Sequence, residues 1–181
     1  MTTYIALLRG INISGQKKIK MGELRKTLEN IGLNDVTTYI QSGNIVFNSG
    51  PANVEELQNT IYEVILRDFG FEVPTLVVTG NQVERILSTN PFAQETEGNR
   101  LYFVLLKQPP KQELVDQLNG QHFPSEDFHV TPACVYLCCK NGYGNAKLNN
   151  NLIERKLKVV ATTRNLKTMQ KLLEMTQTPT N

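Results

Sequence analysis

The chain opens on a run of five apolar residues from Tyr4 to Leu8. A continuous run, rather than an alternation, is typical of a strand that is covered on at least one face. A polar loop with three lysines follows, and then apolar residues return with the spacing of one helix face, at Met21, Leu24, Leu28 and Ile31. The pattern therefore predicts a central strand, a loop and an amphipathic helix.

Three further strands are predicted in the first half of the chain. Residues 36–47 are rich in β-branched and aromatic side chains, which favour strands, and Ser42-Gly43-Asn44 interrupts them as a hairpin or a bulge. The fourth strand is predicted over residues 71–78, where Pro74 indicates an edge position or a strand start.

A second helix is predicted between the third and fourth strands, with Asn53 as its N-cap. The resulting order is strand, helix, strand, strand, helix, strand, which is that of the ferredoxin-like βαββαβ fold. Two packed layers of this kind suit about 80 residues, so we expect residues 1–79 to form one subdomain.

The second half, residues 80–181, is predicted to be a related α+β subdomain that ends in helices. It contains a second continuous apolar strand, Leu101 to Leu106, after a short helix that begins near Asn81. The other predicted elements are a helix around Leu114 to Leu118, strands at 127–131 and 134–140, and helices at 148–157 and 165–175. The order indicates a duplication, although the two halves do not visibly repeat in sequence.

Composition places the chain among ordinary globular proteins. It has 181 residues, of which 40% are hydrophobic and 20% charged. No apolar run approaches the roughly 18 residues that would span a membrane, and the N-terminus lacks a signal-peptide pattern, so we expect a cytoplasmic protein. The net charge of +2 is too small to indicate nucleic-acid binding by itself.

Three cysteines, Cys134, Cys138 and Cys139, fall on one predicted strand. Their odd number and close spacing argue against a disulfide framework. His122 and His129 do not complete a zinc-binding pattern with them. We therefore expect core cysteines, no metal and no cofactor.

A cation, Arg9, directly follows the first strand, and this is the first candidate for a binding site. Such a charge must reach water, a carboxylate or an anionic ligand, because an unpaired buried charge is too costly. Gly10 permits a sharp exit of the backbone, and the side-chain amide of Asn12 can fix the loop. The alternative is a strand end with a structural ion pair.

Other basic residues are predicted at the starts of helices. Lys20 precedes the first helix and Lys147 a later one, while Thr162 and Thr163 are expected to cap the last helix and to place Arg164 in its first turn. Helix N-termini attract anions, and Lys or Arg strengthens the attraction. We expect an anionic ligand, nucleotide or phosphorylated, in a cleft between the two halves, and its remaining contacts are assigned to Gln41, Ser42, Asn44 and Asn165. Solvated lysines are the alternative.

Catalytic motifs are missing from the sequence, which leaves open whether the protein is an enzyme. It contains no nucleophile elbow, metal-protease motif or phosphate-binding glycine loop of standard spacing. Two other functions also stay open. One is single-stranded nucleic-acid binding, with Tyr4, Tyr39 and Phe47 as stacking candidates, and the other is a homodimer that pairs through an edge strand at 73–78.

Several spaced motifs resemble the bacterial family called domain of unknown function 1697. They are Leu8-Arg-Gly-Ile-Asn12, Lys20-Met21 with Leu24-Arg25, Thr38-Tyr-Ile-Gln-Ser-Gly-Asn44, Ala146-Lys-Leu148 and Ala161-Thr-Thr-Arg-Asn165. The resemblance implies a cytoplasmic bacterial protein with duplicated ferredoxin-like halves and no established activity. The chain departs from the family pattern at Ala146, where Ser is usual, and at Leu166, where Trp is frequent.

Overall fold

The computed structural model describes residues 1–178, and within them lie two four-stranded antiparallel sheets. The chain divides into two compact units: unit 1 comprises Met1–Glu84 and the chain from Lys171 onward, and unit 2 comprises Arg85–Gln170. The predicted division after residue 79 falls where the fourth strand ends and the following helix begins. The predicted α+β class is confirmed.

Unit 1 has the βαββαβ order that the sequence predicts. Its elements are β1 (Thr2–Leu8), α1 (Met21–Asn30), β2 (Asn34–Tyr39), β3 (Asn44–Ser49), α2 (Val54–Phe69) and β4 (Thr75–Thr79). The strands are hydrogen-bonded in the order β2-β3-β1-β4, and every neighbouring pair is antiparallel. The predicted break at 42–44 is thus a connection between two strands, and β4 is an edge strand.

The two helices of unit 1 begin in different ways. The Oδ1 of Asn53 accepts a hydrogen bond from the backbone N–H of Glu55 at 2.8 Å, so α2 has the predicted cap. Lys20 stands at the N-cap of α1 and makes no capping bond with its side chain. A basic residue therefore stands at the positive end of α1, just before its first turn.

The core of unit 1 lies between the sheet and the two helices. Ala6, Leu8 and Phe47 point from the strands into this core, where they meet Leu28 and Ile61 from the helices. The residues between them on β1, such as Ile5 and Leu7, are also buried. Because both faces of β1 are covered, its sequence reads as a continuous apolar run rather than as an alternation.

Unit 2 repeats this order after the connecting helix α3 (Gly80–Ser88). Its elements are β5 (Leu101–Leu106), α4 (Gln112–Asn119), β6 (Glu126–Val130), β7 (Cys134–Cys139), α5 (Asn150–Leu157) and β8 (Ala161–Asn165), followed by α6 (Leu166–Gln177). The strands are hydrogen-bonded in the order β6-β7-β5-β8, again antiparallel. This is the order of unit 1 with each strand number raised by four, which confirms the predicted duplication.

The backbone hydrogen bonds at the end of the central strand also repeat. In unit 1 the N–H of Leu8 donates to Gly43 O at 2.8 Å, and the N–H of Arg9 donates to Pro74 O at 3.0 Å. In unit 2 the corresponding bonds run from Leu106 to Ala133 O at 2.9 Å and from Lys107 to Val160 O at 2.8 Å. Arg9 and Lys107 therefore occupy matching positions in the two units.

Two predictions about strands were wrong. Thr162 and Thr163 were expected to cap the last helix and to be followed by its first turn, but Ala161–Asn165 forms β8 and pairs with β5. The fourth strand was expected to begin at 71 but begins at Thr75, since the chain before Pro74 lacks the ladder of bonds with β1. Thr162 and Thr163 read equally well as β-branched strand residues and as helix caps, and the pairing with β5 decides between them.

No helix within residues 1–178 is both long enough and apolar enough to cross a membrane.

Candidate functional site

The candidate site of unit 1 is built from the loop after β1, residues 9–20, and the connection between β2 and β3, residues 40–43. We call these two segments the N-terminal loop edge. They meet because β1 and β3 are paired antiparallel, which brings the end of one strand beside the start of the other. The bond from Leu8 to Gly43 closes this edge.

Asn12 holds the two segments together with its side chain. Its Nδ2 donates to the carbonyl oxygen of Ile19 at 2.9 Å and to that of Gln41 at 2.8 Å, and its Oδ1 accepts from the N–H of Ile19 at 2.8 Å. The backbone of Asn12 is left-handed, with φ +53°, a conformation that asparagine adopts more readily than most residues. The sequence prediction that Asn12 fixes the loop is confirmed.

Gly43 allows the connection to pack directly on the end of β1. Its φ is +82°, and an added Cβ would lie 2.5 Å from the Cβ of Leu8 and 3.0 Å from Cδ1 of Ile11. Real Cβ atoms do not approach each other this closely, so the packing requires glycine. The sequence suggested a turn here but not this contact.

Ser42 and Asn44 orient each other beneath the turn. The Nδ2 of Asn44 donates to the Oγ of Ser42 at 2.9 Å and to the carbonyl oxygen of Tyr39 at 3.1 Å. Asn44 is completely buried, whereas Ser42 is half-buried and Gln41 is exposed. Three of the predicted ligand contacts, Gln41, Ser42 and Asn44, therefore lie in the last three positions of the connection and the first position of β3.

Left-handed backbone conformations are concentrated at the N-terminal loop edge. Seven of the twelve left-handed residues between Met1 and Thr178 lie in it: Gly10, Asn12, Ser14, Gly15, Lys17, Ile40 and Gly43. Ile40 is β-branched and half exposed, which makes its left-handed backbone unfavourable. Strained conformations persist where the surrounding structure fixes them, and they cluster at functional sites.

The loop after β1 carries four cations, Arg9, Lys17, Lys18 and Lys20, and no acidic residue. The Nζ of Lys17 donates to the carbonyl oxygen of Glu72 at 2.6 Å, which ties the loop to the segment before β4. Lys18 is exposed, and the side chain of Lys20 is 84% exposed and 3.4 Å from Glu23. The edge is therefore strongly basic in a chain whose net charge is only +2.

The basic surface continues along α1. An open depression of about 510 Å³ is lined by Lys20, Arg25 and Lys26, together with two glutamates, Glu23 and Glu29. The Nη1 of Arg25 donates to the Oγ1 of Thr38 at 2.8 Å, near the end of β2. Basic side chains thus extend from the loop to the exposed side of the first helix.

The three predicted ligand contacts of the second half, Lys147, Arg164 and Asn165, belong to unit 2. Lys147 and Asn165 are exposed, whereas Arg164 is buried. The N-cap of α5 is Asn149 rather than a residue beside Lys147. Asn165 caps α6, since its Oδ1 accepts from the N–H of Thr168 at 2.9 Å. Both helices thus have asparagine caps.

The prediction that Arg164 lies in the first turn of a helix was wrong. Arg164 is buried within β8, and its Nη1 donates to the Oγ1 of Thr162 at 2.8 Å and to the carbonyl oxygen of Thr163 at 2.9 Å. Burial lowers the pKa of its guanidinium to about 10. The shared helix-start context proposed for Lys20, Lys147 and Arg164 therefore holds only for Lys20.

The three cysteines are buried and free of disulfides. Burial is the main cause that raises the pKa of the Cys139 thiol to about 12, and it raises the pKa of Cys134 as well. The Sγ of Cys138 donates to the Oε2 of Glu95 at 3.6 Å, and burial followed by this carboxylate raises its pKa. Thiolates are the reactive form, so these are core cysteines rather than nucleophiles. Residues 1–178 contain no cluster of three metal-binding side chains.

Two aromatic residues suggested for base stacking lie in the core instead. The rings of Tyr4 and Phe47 are stacked with centroids 5.7 Å apart, and both pack against the helices of unit 1. Tyr4 is only 4% exposed and Phe47 is fully buried, so neither ring offers an open face to a base. They therefore offer no surface of the kind that RNA-recognition domains present.

The edge strand suggested for homodimer pairing has two of its donors occupied. The N–H of Val77 donates to the Oε1 of Gln58 at 3.0 Å, and the N–H of Thr79 donates to the Oε1 of Gln82 at 2.8 Å. Side chains that bond the edge in this way compete with a second strand.

The two sheets with the same strand order define a duplicated ferredoxin-like α+β protein. A family model described as protein of unknown function (DUF1697) matches residues 1–136, and the chain belongs to this family, as the sequence motifs indicated. No curated protein matches the chain.

A solved structure supports the fold. The conserved bacterial protein SP0830 from Streptococcus pneumoniae is 24% identical, and the match covers 97% of this chain and 99% of that one with a TM-score of 0.77. At this identity the likeness establishes the fold alone.

Proposed function

We propose that unit 1 binds a small anionic ligand, a nucleotide or a phosphorylated metabolite, at the N-terminal loop edge. The observation that carries the proposal is the convergence of residues 9–20 and 40–43 through Asn12, which places a loop of charge +4 against the turn that holds Ser42. Backbone N–H groups and basic side chains at a helix start are common partners of phosphate.

The comparison of the two units supports the same place. The loop after the central strand has twelve residues in unit 1, Arg9 to Lys20, and five in unit 2, Lys107 to Lys111. Lys111 stands at the N-cap of α4 as Lys20 does at the N-cap of α1, again without a capping side chain. The halves thus share a frame and differ by an added basic loop, and loops on a rigid frame are where binding residues concentrate.

A thermal-shift screen tests the proposal. Nucleotides, sugar phosphates and short single-stranded oligonucleotides are added to the wild-type protein, to Arg9→Ala and to Lys107→Ala. A ligand at 100 times its dissociation constant stabilises the folded state by about 2.7 kcal/mol, so the shift is measurable. We expect a small phosphorylated compound to raise the melting temperature of the wild type and of Lys107→Ala, and not that of Arg9→Ala.

Two outcomes would redirect or overturn the proposal. A shift that only oligonucleotides produce, with steep salt dependence, would favour nucleic-acid binding instead. No shift with any anion would overturn ligand binding at this edge. Ligand contact by Lys147, Arg164 and Asn165 stays a prediction. The variant Lys147→Ala tests it at an exposed residue.

A further inference from the structure

Unit 1 contains a cavity on the face of its sheet that is turned away from α1 and α2. It has a volume of about 310 Å³ and is lined by strand residues, including Val46 and Asn48, and by the end of α6 from Lys171 to Met175. This volume is at the lower end of the range for ligand pockets. It is separate from the N-terminal loop edge, so it does not depend on the function proposed above.

In unit 2 the matching place is filled by aromatic side chains. Tyr136 of unit 2 is the counterpart of Val46 of unit 1. Tyr136 pairs with Phe103 on β5, and Val46 pairs with Ile5 on β1. Each pair lies three residues from the backbone hydrogen bond that both units make at the end of the central strand. His129 lies beside Tyr136, with ring centroids 6.4 Å apart.

The helix that contacts Tyr136 is α3, and its counterpart at the cavity of unit 1 is α6. The hydroxyl of Tyr136 donates to the carbonyl oxygen of Ile86 at 2.9 Å and lies 2.9 Å from the Oγ1 of Thr89. Thr89 follows the end of β4 by ten residues, and Met175 follows the end of β8 by the same number. The same strand-and-helix frame thus closes over a phenol ring in one unit and over a cavity in the other.

Unit 1 has the smaller residues at these positions. Val46 replaces Tyr136, and Thr37 replaces His129, because Thr37 pairs with Val46 as His129 pairs with Tyr136. Unit 1 therefore lacks the two ring side chains that occupy this place in unit 2.

The polar rim of the cavity has a fixed carboxylate. The Oγ1 of Thr3 donates to Oδ1 of Asn48 at 2.8 Å, and Nδ2 of Asn48 donates to Oδ2 of Asp35 at 2.7 Å. Asp35 sits in a bulge of β2, where the register shifts between Asn34 and Thr37 and its own φ is +51°. Bulges redirect side chains, and this one brings Asp35 to the cavity.

The other charges at the rim largely neutralise each other. The Nζ of Lys171 lies 2.7 Å from Oε1 of Glu174. Asp35 is then the carboxylate that gives the cavity its negative character. A ligand with a positive group or N–H donors fits this charge, whereas an anion does not.

We propose that this cavity binds a small aromatic amine, with the ring against Val46 and the ammonium or amino group on the carboxylate of Asp35. Tyramine and histamine are suitable probes, because both join one ring to one ammonium group. The ring without the amine is supplied by p-cresol as the control for tyramine and by 4-methylimidazole as the control for histamine, and ethylamine supplies the amine without the ring.

Isothermal titration of the full chain tests the proposal with two variants. Val46→Tyr introduces the ring that unit 2 already has, and Asp35→Asn removes the charge while keeping an oxygen for Asn48. Asp127→Asn makes the same charge change on β6 and serves as the control. We expect tyramine or histamine to bind more tightly than either fragment, and Val46→Tyr to abolish binding without lowering the melting temperature. Asp35→Asn should weaken binding about tenfold or more, and Asp127→Asn should leave it unchanged.

Four results would overturn the proposal. The first is the absence of saturable binding by both amines, and the second is binding that survives in Val46→Tyr. The third is a Val46→Tyr protein that fails to fold, because that would show that the cavity cannot hold a ring. The fourth is equal binding of p-cresol and tyramine, because that would remove the role of Asp35.

Discussion

The side-chain nitrogen of Asn12 lies 2.8 Å from the carbonyl oxygen of Gln41, and this contact joins two loop residues that are 29 positions apart in the sequence. The same side chain also bonds both backbone groups of Ile19. One residue therefore fixes the basic loop after β1 against the connection between β2 and β3.

Replacing Asn12 should loosen this edge. Asn12→Ala removes three hydrogen bonds and leaves alanine in a left-handed backbone, so we expect a loss of about 2–4 kcal/mol in the free energy of unfolding. Asn12→Gly removes the same bonds without the backbone strain and should lose less. Urea denaturation followed by circular dichroism measures both, and an Asn12→Ala protein as stable as the wild type would contradict this role.

Gly43 and Gly10 form a matched pair for measuring the close contact with β1. Both have left-handed backbones, but an added Cβ at Gly10 meets nothing within 4 Å, whereas one at Gly43 lies 2.5 Å from Leu8. Gly10→Ala should lose about 1–2 kcal/mol from strain alone, and Gly43→Ala about 1–3 kcal/mol more from overlap. Equal losses in denaturant titrations would mean that the turn moves away from β1 freely.

Gln58 is predicted to stabilise the edge of the first sheet. Its Oε1 accepts from the N–H of Val77 at 3.0 Å. Gln58 is the fifth residue after the cap of α2, and Glu154 is the fifth residue after the cap of α5 in unit 2. The Oε1 of Glu154 likewise accepts from a strand N–H, that of Ala161, at 2.9 Å. Gln58→Leu leaves the N–H of Val77 without its acceptor, which should lower the free energy of unfolding by about 1–3 kcal/mol.

Asn59→Ala, one position along the same helix and exposed, is the control for Gln58→Leu. It should change stability by less than about 0.5 kcal/mol. If Gln58→Leu behaved like this control, the bond to Val77 would contribute nothing to the fold.

We expect the protein to lose stability at alkaline pH, because burial raises the pKa of its cysteine thiols. The folded-state pKa of Cys139, about 12, lies above the ordinary value of roughly 8.5, so the unfolded chain releases its proton first as pH rises. The stabilisation is complete below about pH 8.5 and declines from there towards pH 12. Urea midpoints between pH 7 and pH 11 measure the decline, which Cys139→Ala should reduce.

The reactivity of the thiols gives an independent check. At pH 8 a thiol reagent should modify the native protein slowly and the urea-unfolded protein at all three cysteines, because the thiolate is the reactive form. Rapid modification of the native protein, or a stability that does not change up to pH 11, would contradict the burial of these groups.

Sequence periodicity was sufficient for the elements whose partners are local. The helix spacing of Met21 to Leu28 and the cap at Asn53 depend on neighbours within one or two turns, so α1 and α2 could be predicted. The strand β8 could not, because Ala161-Thr-Thr-Arg-Asn165 reads as strand only once it is paired with β5. Its buried Arg164 has Val78 as the counterpart in unit 1, which no local pattern indicates.

The candidate site divides in the same way. Arg9 and the lysine-rich loop follow the first strand in sequence, so their proximity was predictable. The contact between Asn12 and Gln41 and the fit of Gly43 on Leu8 depend on the register of β1 with β3, which a single sequence does not specify. The cavity beside Asp35 depends in addition on α6, more than 130 residues further along the chain.

The central claim, an anion site at the N-terminal loop edge, is tested most directly by titrating two charge-matched double variants with inorganic pyrophosphate and adenosine diphosphate. Lys18→Ala/Lys20→Ala removes two cations from the edge, and Lys107→Ala/Lys111→Ala removes two from the matching loop of unit 2. We predict at least about tenfold weaker binding in the first variant, as expected for lost charge-assisted contacts, and wild-type affinity in the second. Equal losses in both variants would show that only overall charge matters, and an absence of binding by the wild type would contradict the claim outright.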